Sequence, residues 1–379
     1  MKSTHSRRSA LKLSAGAAAA TFMINKGSYA LAAAPGRTYS RRAMDIVNEA
    51  LVIDMLAPLK IDFREDFFDE PFDAKSLEEF KSSGITGFHQ AVGMGGFNGK
   101  DQAMEYLGRW SYYIGSQSDH FTLVDKAPDL ERAKADGKIA VILGIQNADQ
   151  FQKPADVEYF YRMGLRCAQL TYNSQNFIGS GSTDRVDGGL TNFGAAIVEE
   201  MNRVGMLVDV SHCAERTTMD AIEASPKPIA ITHSNCRAIN PHVRNKSDEA
   251  IKMLAAKGGV MGITEVRMFV SKDEPVTVTD MATHIDHVAK LVGIEHVGIG
   301  SDSDLNGYDD MPADQNKMLR KAYDQTAYAF REKIDTDGFD HPLKTYDLTE
   351  ELIRRGYSDE NIKLVLGGNF RRLLGDTWI

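Results

Sequence analysis

Gly205-Met206-Leu207-Val208-Asp209-Val210-Ser211-His212 is followed, after one helix-patterned segment, by Pro228-Ile229-Ala230-Ile231-Thr232-His233. Both are short apolar runs that close on polar side chains. Near-continuous apolar runs of this length mark parallel strands buried on both faces. The same unit recurs along the chain. The apolar runs are Leu51–Asp54, Ile85–His89, Ile139–Ile145, Arg166–Tyr172, Met206–His212, Pro228–His233, Gly259–Glu265 and His296–Asp302. Helical periodicity falls between them, over Ala74–Ser83, Gln117–Asp136, Ala155–Met163, Asn192–Val204, Ala214–Ala224, Lys246–Lys257 and Val278–Val292, and again over Thr345–Arg355 and Asp359–Leu374. Eight strands, each followed by a helix, predict an α/β fold of the closed (β/α)8 TIM-barrel type rather than an open doubly wound sheet. No GxGxxG follows the first run, which argues against a dinucleotide fold. The longest irregular stretches, Gly93–Asp101, Phe177–Gly189 and Asp304–Gln315, all follow strands, where a barrel carries its functional loops.

The residues that close the runs carry the chemistry. The fifth run ends on His212, the sixth on His233 and the eighth on Asp302. At matching ends of barrel strands these three converge on the mouth. Neutral imidazoles suit a divalent metal such as zinc, and a carboxylate beside it can act as general base. Arg244, in the loop after the sixth run, is placed to hold a carboxylate through a bidentate pair, or else to cap the next helix. Asp209, three residues before His212, reads as a buried partner of the site rather than a ligand. His89, which ends the second run, is a packing or capping residue or an additional ligand.

The whole chain bounds the function. It is 42% hydrophobic and 26% charged, an ordinary globular composition. Ser6-Arg7-Arg8-Ser9-Ala10-Leu11-Lys12, then a weakly apolar run and Ala30-Leu31-Ala32-Ala33-Ala34, read as a twin-arginine export signal over residues 1–34. Residues 35–379 are then expected to form one barrel domain, periplasmic or secreted. Residues 1–34 hold Lys2, Arg7, Arg8, Lys12 and Lys26 and no acid, so removing them takes the formal charge from −9 to −14. So acidic a surface argues against nucleic-acid binding. The three cysteines, Cys167, Cys213 and Cys236, show no CxxC spacing and do not form a disulfide framework. No C-terminal apolar tail suggests a lipid anchor. The expected partner is a small molecule, and a homodimer is left open.

The same strand ends carry a resemblance. The octapeptide ending at His212, then Pro228 to Ala238, then Arg244-Asn245 with Asp248, resemble the renal (membrane) dipeptidase family, M19. So do His284-Ile285-Asp286-His287, Val297-Gly298-Ile299-Gly300-Ser301-Asp302-Ser303-Asp304 and Gly367-Gly368-Asn369-Phe370-Arg371-Arg372. The resemblance runs from about Arg42 to the C-terminus and implies a zinc-dependent dipeptidase with two metals. It implies that His212 and His233 bind one metal, that Arg244 (with Asn245 beside it) binds the substrate carboxylate, and that Asp302 is the acid/base. The other half of that site is missing. Where the family has Asp-Gly-His-x-Asp on the first strand, this chain has Asp54-Met55-Leu56-Ala57-Pro58. The bridging glutamate falls on Gln146, and a substrate-contacting histidine falls on Tyr172. Leucine, proline and glutamine do not replace histidine and carboxylates around a dication.

One zinc therefore remains, with two not expected, held by His212, His233 and either Asp302 or Gln146. The leading expectation is a mononuclear hydrolase of a dipeptide or related small amide with a free carboxylate. Asp302 would be its base, Tyr172 or the metal its oxyanion stabiliser, and Arg244, Asn245 and Gln146 its substrate-binding residues. Two alternatives stand beside it: a non-hydrolytic barrel that binds a small acid or peptide, and an enzyme with a different reaction on a carboxylate-bearing substrate.

Overall fold

The computed structural model describes residues 37–323 and 330–378. The twin-arginine segment lies outside the described residues. Nine parallel strands form one sheet: β1 (Ile53–Asp54), β2 (Gly87–Val92), β3 (Phe121–Leu123), β4 (Ile139–Ile145), β5 (Cys167–Gln169), β6 (Leu207–Asp209), β7 (Ala230–Ser234), β8 (Val260–Ile263) and β9 (Val297–Ile299). The strand order β2-β1-β9-β8-β7-β6-β5-β4 closes on itself because β2 also pairs with β4, from Gly87↔Ala140 to Val92↔Ile145. Eight strands thus make a closed (β/α)8 barrel of the TIM type, as the alternation of runs and helices predicts. The ninth, β3, is an addition to it. It pairs only with the first half of β4 (Phe121↔Ile139 to Leu123↔Val141), leaving the second half of β4 to β5.

The local reasons are visible in the sequence. Helix Asn192–Val204 starts where the Thr191 side chain accepts from the Gly194 N–H, and it stops at Gly205, whose φ of 82° is a left-handed conformation that glycine adopts without strain. That stop delivers Met206 directly into β6. Gly300 serves closure differently: a Cβ there would lie 1.8 Å from the Thr232 carbonyl, so only glycine lets β9 pass the end of β7. Every residue of β4 is buried, which accounts for the unbroken apolar run.

Two expectations need correction. Gln117–Asp136 is not one helix. It begins at the C-cap of helix Gly99–Ser116 and then holds β3 and helix Pro128–Ala135. Phe121-Thr122-Leu123 is a β-branched and aromatic triplet too short to interrupt a helical pattern in the sequence, and pairing with β4 decides it. Part of Gly93–Asp101 and of Asp304–Gln315 is helical too, because the helices Gly99–Ser116 and Ala313–Tyr323 begin inside them.

Candidate active site

The mouth is built on Asp209. This buried carboxylate accepts from Ser211 N–H (3.0 Å), Ser211 Oγ (2.5 Å), Thr232 N–H (3.0 Å) and Thr232 Oγ1 (2.7 Å). It thereby ties the end of β6 to the end of β7. Because the Thr232 hydroxyl spends its proton on Asp209, it accepts from His233 Nδ1 at 2.8 Å. On the neighbouring strand the Asn173 side-chain oxygen accepts from His212 Nδ1 at 2.6 Å. Both imidazoles are thus Nδ1–H tautomers, and their Nε2 lone pairs face one another 2.8 Å apart. Burial first, and then the Arg244 guanidinium, hold both rings well below the usual histidine range. Two lone pairs so placed repel unless a cation joins them, which is the arrangement of a metal-ligand pair. One ion bound at about 2.0–2.1 Å would need the nitrogens roughly half an ångström further apart.

Around this pair stand the remaining predicted residues. Tyr172 stacks on the His212 ring (centroids 4.3 Å apart, 20° between planes). Its other flank lies against Gly93, where a Cβ would come within 2.8 Å of the Tyr172 ring. The Tyr323 hydroxyl donates to that of Tyr172 at 3.2 Å. Arg244 is fully buried. Its Nη1 donates to the Ser211 carbonyl, its guanidinium lies 5.4 Å from the centre of the Phe269 ring, and its Nε and Nη2 have no partner. Buried charged donors without partners cost free energy, and a ligand carboxylate would satisfy them. Asp302 is one of two non-glycine residues with positive φ among the described residues, at 65°. The other is Asn173, at 61°. Both sit at the mouth, where such strain concentrates. Asp302 is held by its N–H donating to the Leu56 carbonyl (2.8 Å) and by Tyr308 Oη donating to its carbonyl (2.7 Å). Burial pushes its carboxyl up to about 7, with Arg244 pulling it down and Asp54 and Asp209 pushing it up.

Two predicted binders are committed elsewhere. Asn245 is buried, and its amide donates to the carbonyls of Asn240 and Phe269, bracing the loop that carries Arg244. Gln146 closes β4 and donates from Nε2 to the Ala91 carbonyl at 3.0 Å. His89 points into the barrel. Its Nδ1 is 2.6 Å from the Met55 carbonyl, its Nε2 has no partner, and Gly144 leaves it room. Asp54, the one acid kept on the first strand, accepts from Ser301 N–H (2.8 Å) and Leu56 N–H (3.3 Å), so it holds the strand end that carries Asp302. Leu56 and Pro58 are buried. Among the described residues, no group of three or more His, Cys, Asp or Glu side chains could hold a metal ion.

Sequence reasoning missed Asn173, Thr232, Tyr308 and Tyr323. Thr232 and Asn173 directly follow or precede residues that were singled out, and a search for Nδ1 acceptors beside each histidine would have found them. Tyr308 and Tyr323 come from the segment after β9 and carry no local signal.

The family description "Membrane dipeptidase (Peptidase family M19)" matches residues 40–320. Dipeptidase verJ of Clonostachys rogersoniana is 33% identical over 264 residues, covering 69% of this chain and 61% of its own length. Dipeptidase tcpJ of Claviceps purpurea (strain 20.1) is 30% identical over 68% of this chain and 55% of its own length. The match thus spans little more than half of each curated relative. An amidohydrolase from Pseudomonas aeruginosa superposes with a TM-score of 0.78 at 30% identity, covering 89% of this chain and 99% of that one. The probable dipeptidase PvdM from Pseudomonas aeruginosa, at 19% identity and a TM-score of 0.74 over 89% of this chain and 98% of that one, shares the fold. With a family match over most of its length and the family's strand-end residues gathered at one barrel mouth, the chain belongs to the membrane dipeptidase family, peptidase family M19.

Proposed function

We propose that the protein hydrolyses a dipeptide or related small amide with a free carboxylate, using at most one divalent metal ion. The observation that carries this reading is Arg244, buried beside the histidine pair with two guanidinium nitrogens unpartnered. Family membership implies metal dependence. The residues present fit one ion and not two: two lone pairs converge from His212 and His233, while Leu56, Pro58 and Gln146 offer a second ion neither imidazole nor carboxylate. Bound there, an ion of the zinc class would polarise the amide carbonyl and acidify a water. The chain's own residues do the rest. Arg244 anchors the substrate carboxylate, Asp302 takes the proton of the attacking water and returns it to the leaving amine, and the Tyr172 hydroxyl donates to the developing oxyanion.

A second reading, a pocket that binds a small acid without cleaving it, is favoured by the same missing ligands. Metal analysis together with an assay on a panel of dipeptides separates the two. About one metal per chain with turnover supports hydrolysis, and binding with neither metal nor turnover supports the alternative.

Arg244→Lys keeps the charge but loses the planar fork. It should raise KM by about tenfold or more, the equivalent of one lost charged hydrogen bond, and kcat should change less. Substrates with an amidated or esterified C-terminus should be poor for the wild type. Equal turnover of free and blocked substrates would remove the carboxylate from the scheme.

We also propose export by the twin-arginine route, on the strength of Arg7 and Arg8 ahead of an apolar run. Changing both to lysine should leave precursor in the cytoplasm. Normal amounts of processed protein outside it, measured by fractionation, would rule the route out.

A further inference from the structure

We propose that the substrate is an amino acid whose amine carries a large apolar acyl group, and that this group lies in an aromatic track running outward from Tyr323 over Phe63 to Trp110. The inference rests on the reading of Arg244 as the carboxylate anchor.

The two ends of the substrate are separated by the barrel itself. Arg244 follows β7, and the histidines close β6 and β7. Around the ring β2-β1-β9-β8-β7-β6-β5-β4, β1 is four places from β6. A carboxylate held on the β6–β7 side therefore sends the other end of the molecule toward β1 and β2. That is the side on which Leu56 and Pro58 stand in place of polar metal ligands.

The same side carries the track. A groove of about 440 Å³ is lined by Tyr323, Leu319, Met318 and Phe63, and a second of about 250 Å³ by Phe63, Phe68, Tyr106 and Trp110. Phe63 lines both, so the two grooves adjoin at its side chain. The inner end meets the catalytic centre through the Tyr323–Tyr172 hydroxyl contact and the Tyr172–His212 stack. Phe63 is 60% exposed and Met318 62% exposed, in a surface where large apolar side chains are otherwise costly. Among the described residues, seven of the nine exposed large apolar side chains lie in segments that leave the C-terminal ends of barrel strands.

Most of the charges along the track are already paired. Arg109 meets Glu105 at 2.6 Å, Arg64 meets Asp62 at 2.5 Å, and Lys60 bonds Asp310. What remains for a ligand is apolar surface, which selects a neutral hydrocarbon or aryl group. The grooves are of small-molecule size rather than the flat area a protein partner needs.

The test is direct binding of N-acylglycines, from acetyl to decanoyl, and of N-(4-phenylbutanoyl)glycine. Titrations use the mature wild-type protein and Asp302→Asn, so that turnover is not required. Each methylene buried should tighten binding by two- to fourfold, so decanoyl should bind at least tenfold tighter than acetyl. Phe63→Ser with Met318→Ser, both at exposed positions, should erase most of that gain and leave N-acetylglycine unchanged. Arg244→Lys should weaken all lengths equally. Affinities within twofold from acetyl to decanoyl would overturn the track while leaving the Arg244 reading intact. Length dependence without any effect of Arg244→Lys would keep the track and sink the carboxylate anchor. If the Phe63/Met318 double variant alters sedimentation but not binding, the apolar rim is an interface between copies of the chain, and the proposal falls.

Discussion

His212→Ala and His233→Ala should each abolish hydrolysis, by on the order of a thousandfold or more, and each should empty the protein of tightly bound metal. The family pattern alone would give two ions. Among the described residues the strand ends bring the Nε2 atoms of His212 and His233 face to face, and Gln146 stands where the family pattern has a bridging carboxylate. The buried Arg244 guanidinium beside the pair weakens any cation further. Elemental analysis of dialysed protein should find at most one divalent ion per chain. Asn173→Ala frees the His212 tautomer and should lower metal affinity by about 10- to 100-fold, the usual effect of removing such a partner. Gln146→Glu restores one carboxylate and should tighten the single ion without creating a second site. Two tightly held ions in the unmodified protein would overturn this account. So would full activity in either alanine variant.

The barrel was legible because each strand had to be apolar on both faces and each helix on one, and those periods survive in the text from Leu51 to Asp302. β3 was not legible. Its three residues are decided by a place beside β4 that only the closed sheet creates. Of the candidate site, His212, His233 and Asp302 were legible because strand ends point to one mouth whatever the loops do, and Arg244 because it lies in the loop that follows one of those ends and matches the family pattern. The supports were harder to see. Thr232 acts through a carboxylate 23 residues earlier in the text, Asn173 through a left-handed backbone, and Tyr308 and Tyr323 through a segment that folds back over the mouth. Asp54 is the instructive case. Kept from a metal-binding motif, it serves here to hold the backbone of Ser301 and so to aim Asp302.

Asp302→Asn should cost about two to four orders of magnitude in kcat, the usual contribution of a general base, and yet stabilise the fold at alkaline pH. Burial raises the Asp302 carboxyl from 3.8 to about 7 in the folded protein. A folded state that binds the proton more tightly than the unfolded chain loses stability as pH rises between those two values, and carries the full penalty above about 7. At about 1.4 kcal/mol per unit the ceiling is about 4 kcal/mol, and asparagine removes it. Asparagine also tolerates the positive φ of 65° better than most residues, so the backbone is not strained by the exchange. The variant should therefore melt several degrees higher than wild type at pH 8 and show little difference at pH 4, as followed by thermal denaturation. Asp335, also raised to about 7, chiefly by burial, titrates alike in both proteins and leaves a residual slope that the substitution does not touch. In the active enzyme the base must be ionised. kcat/KM should climb about tenfold per unit toward pH 7 and level above it, with a bound cation moving that limb to lower pH by favouring the carboxylate. An Asp302→Asn protein that keeps its activity would mean that this carboxyl is not the base, and one that is less stable than wild type at pH 8 would mean that it carries no burial penalty.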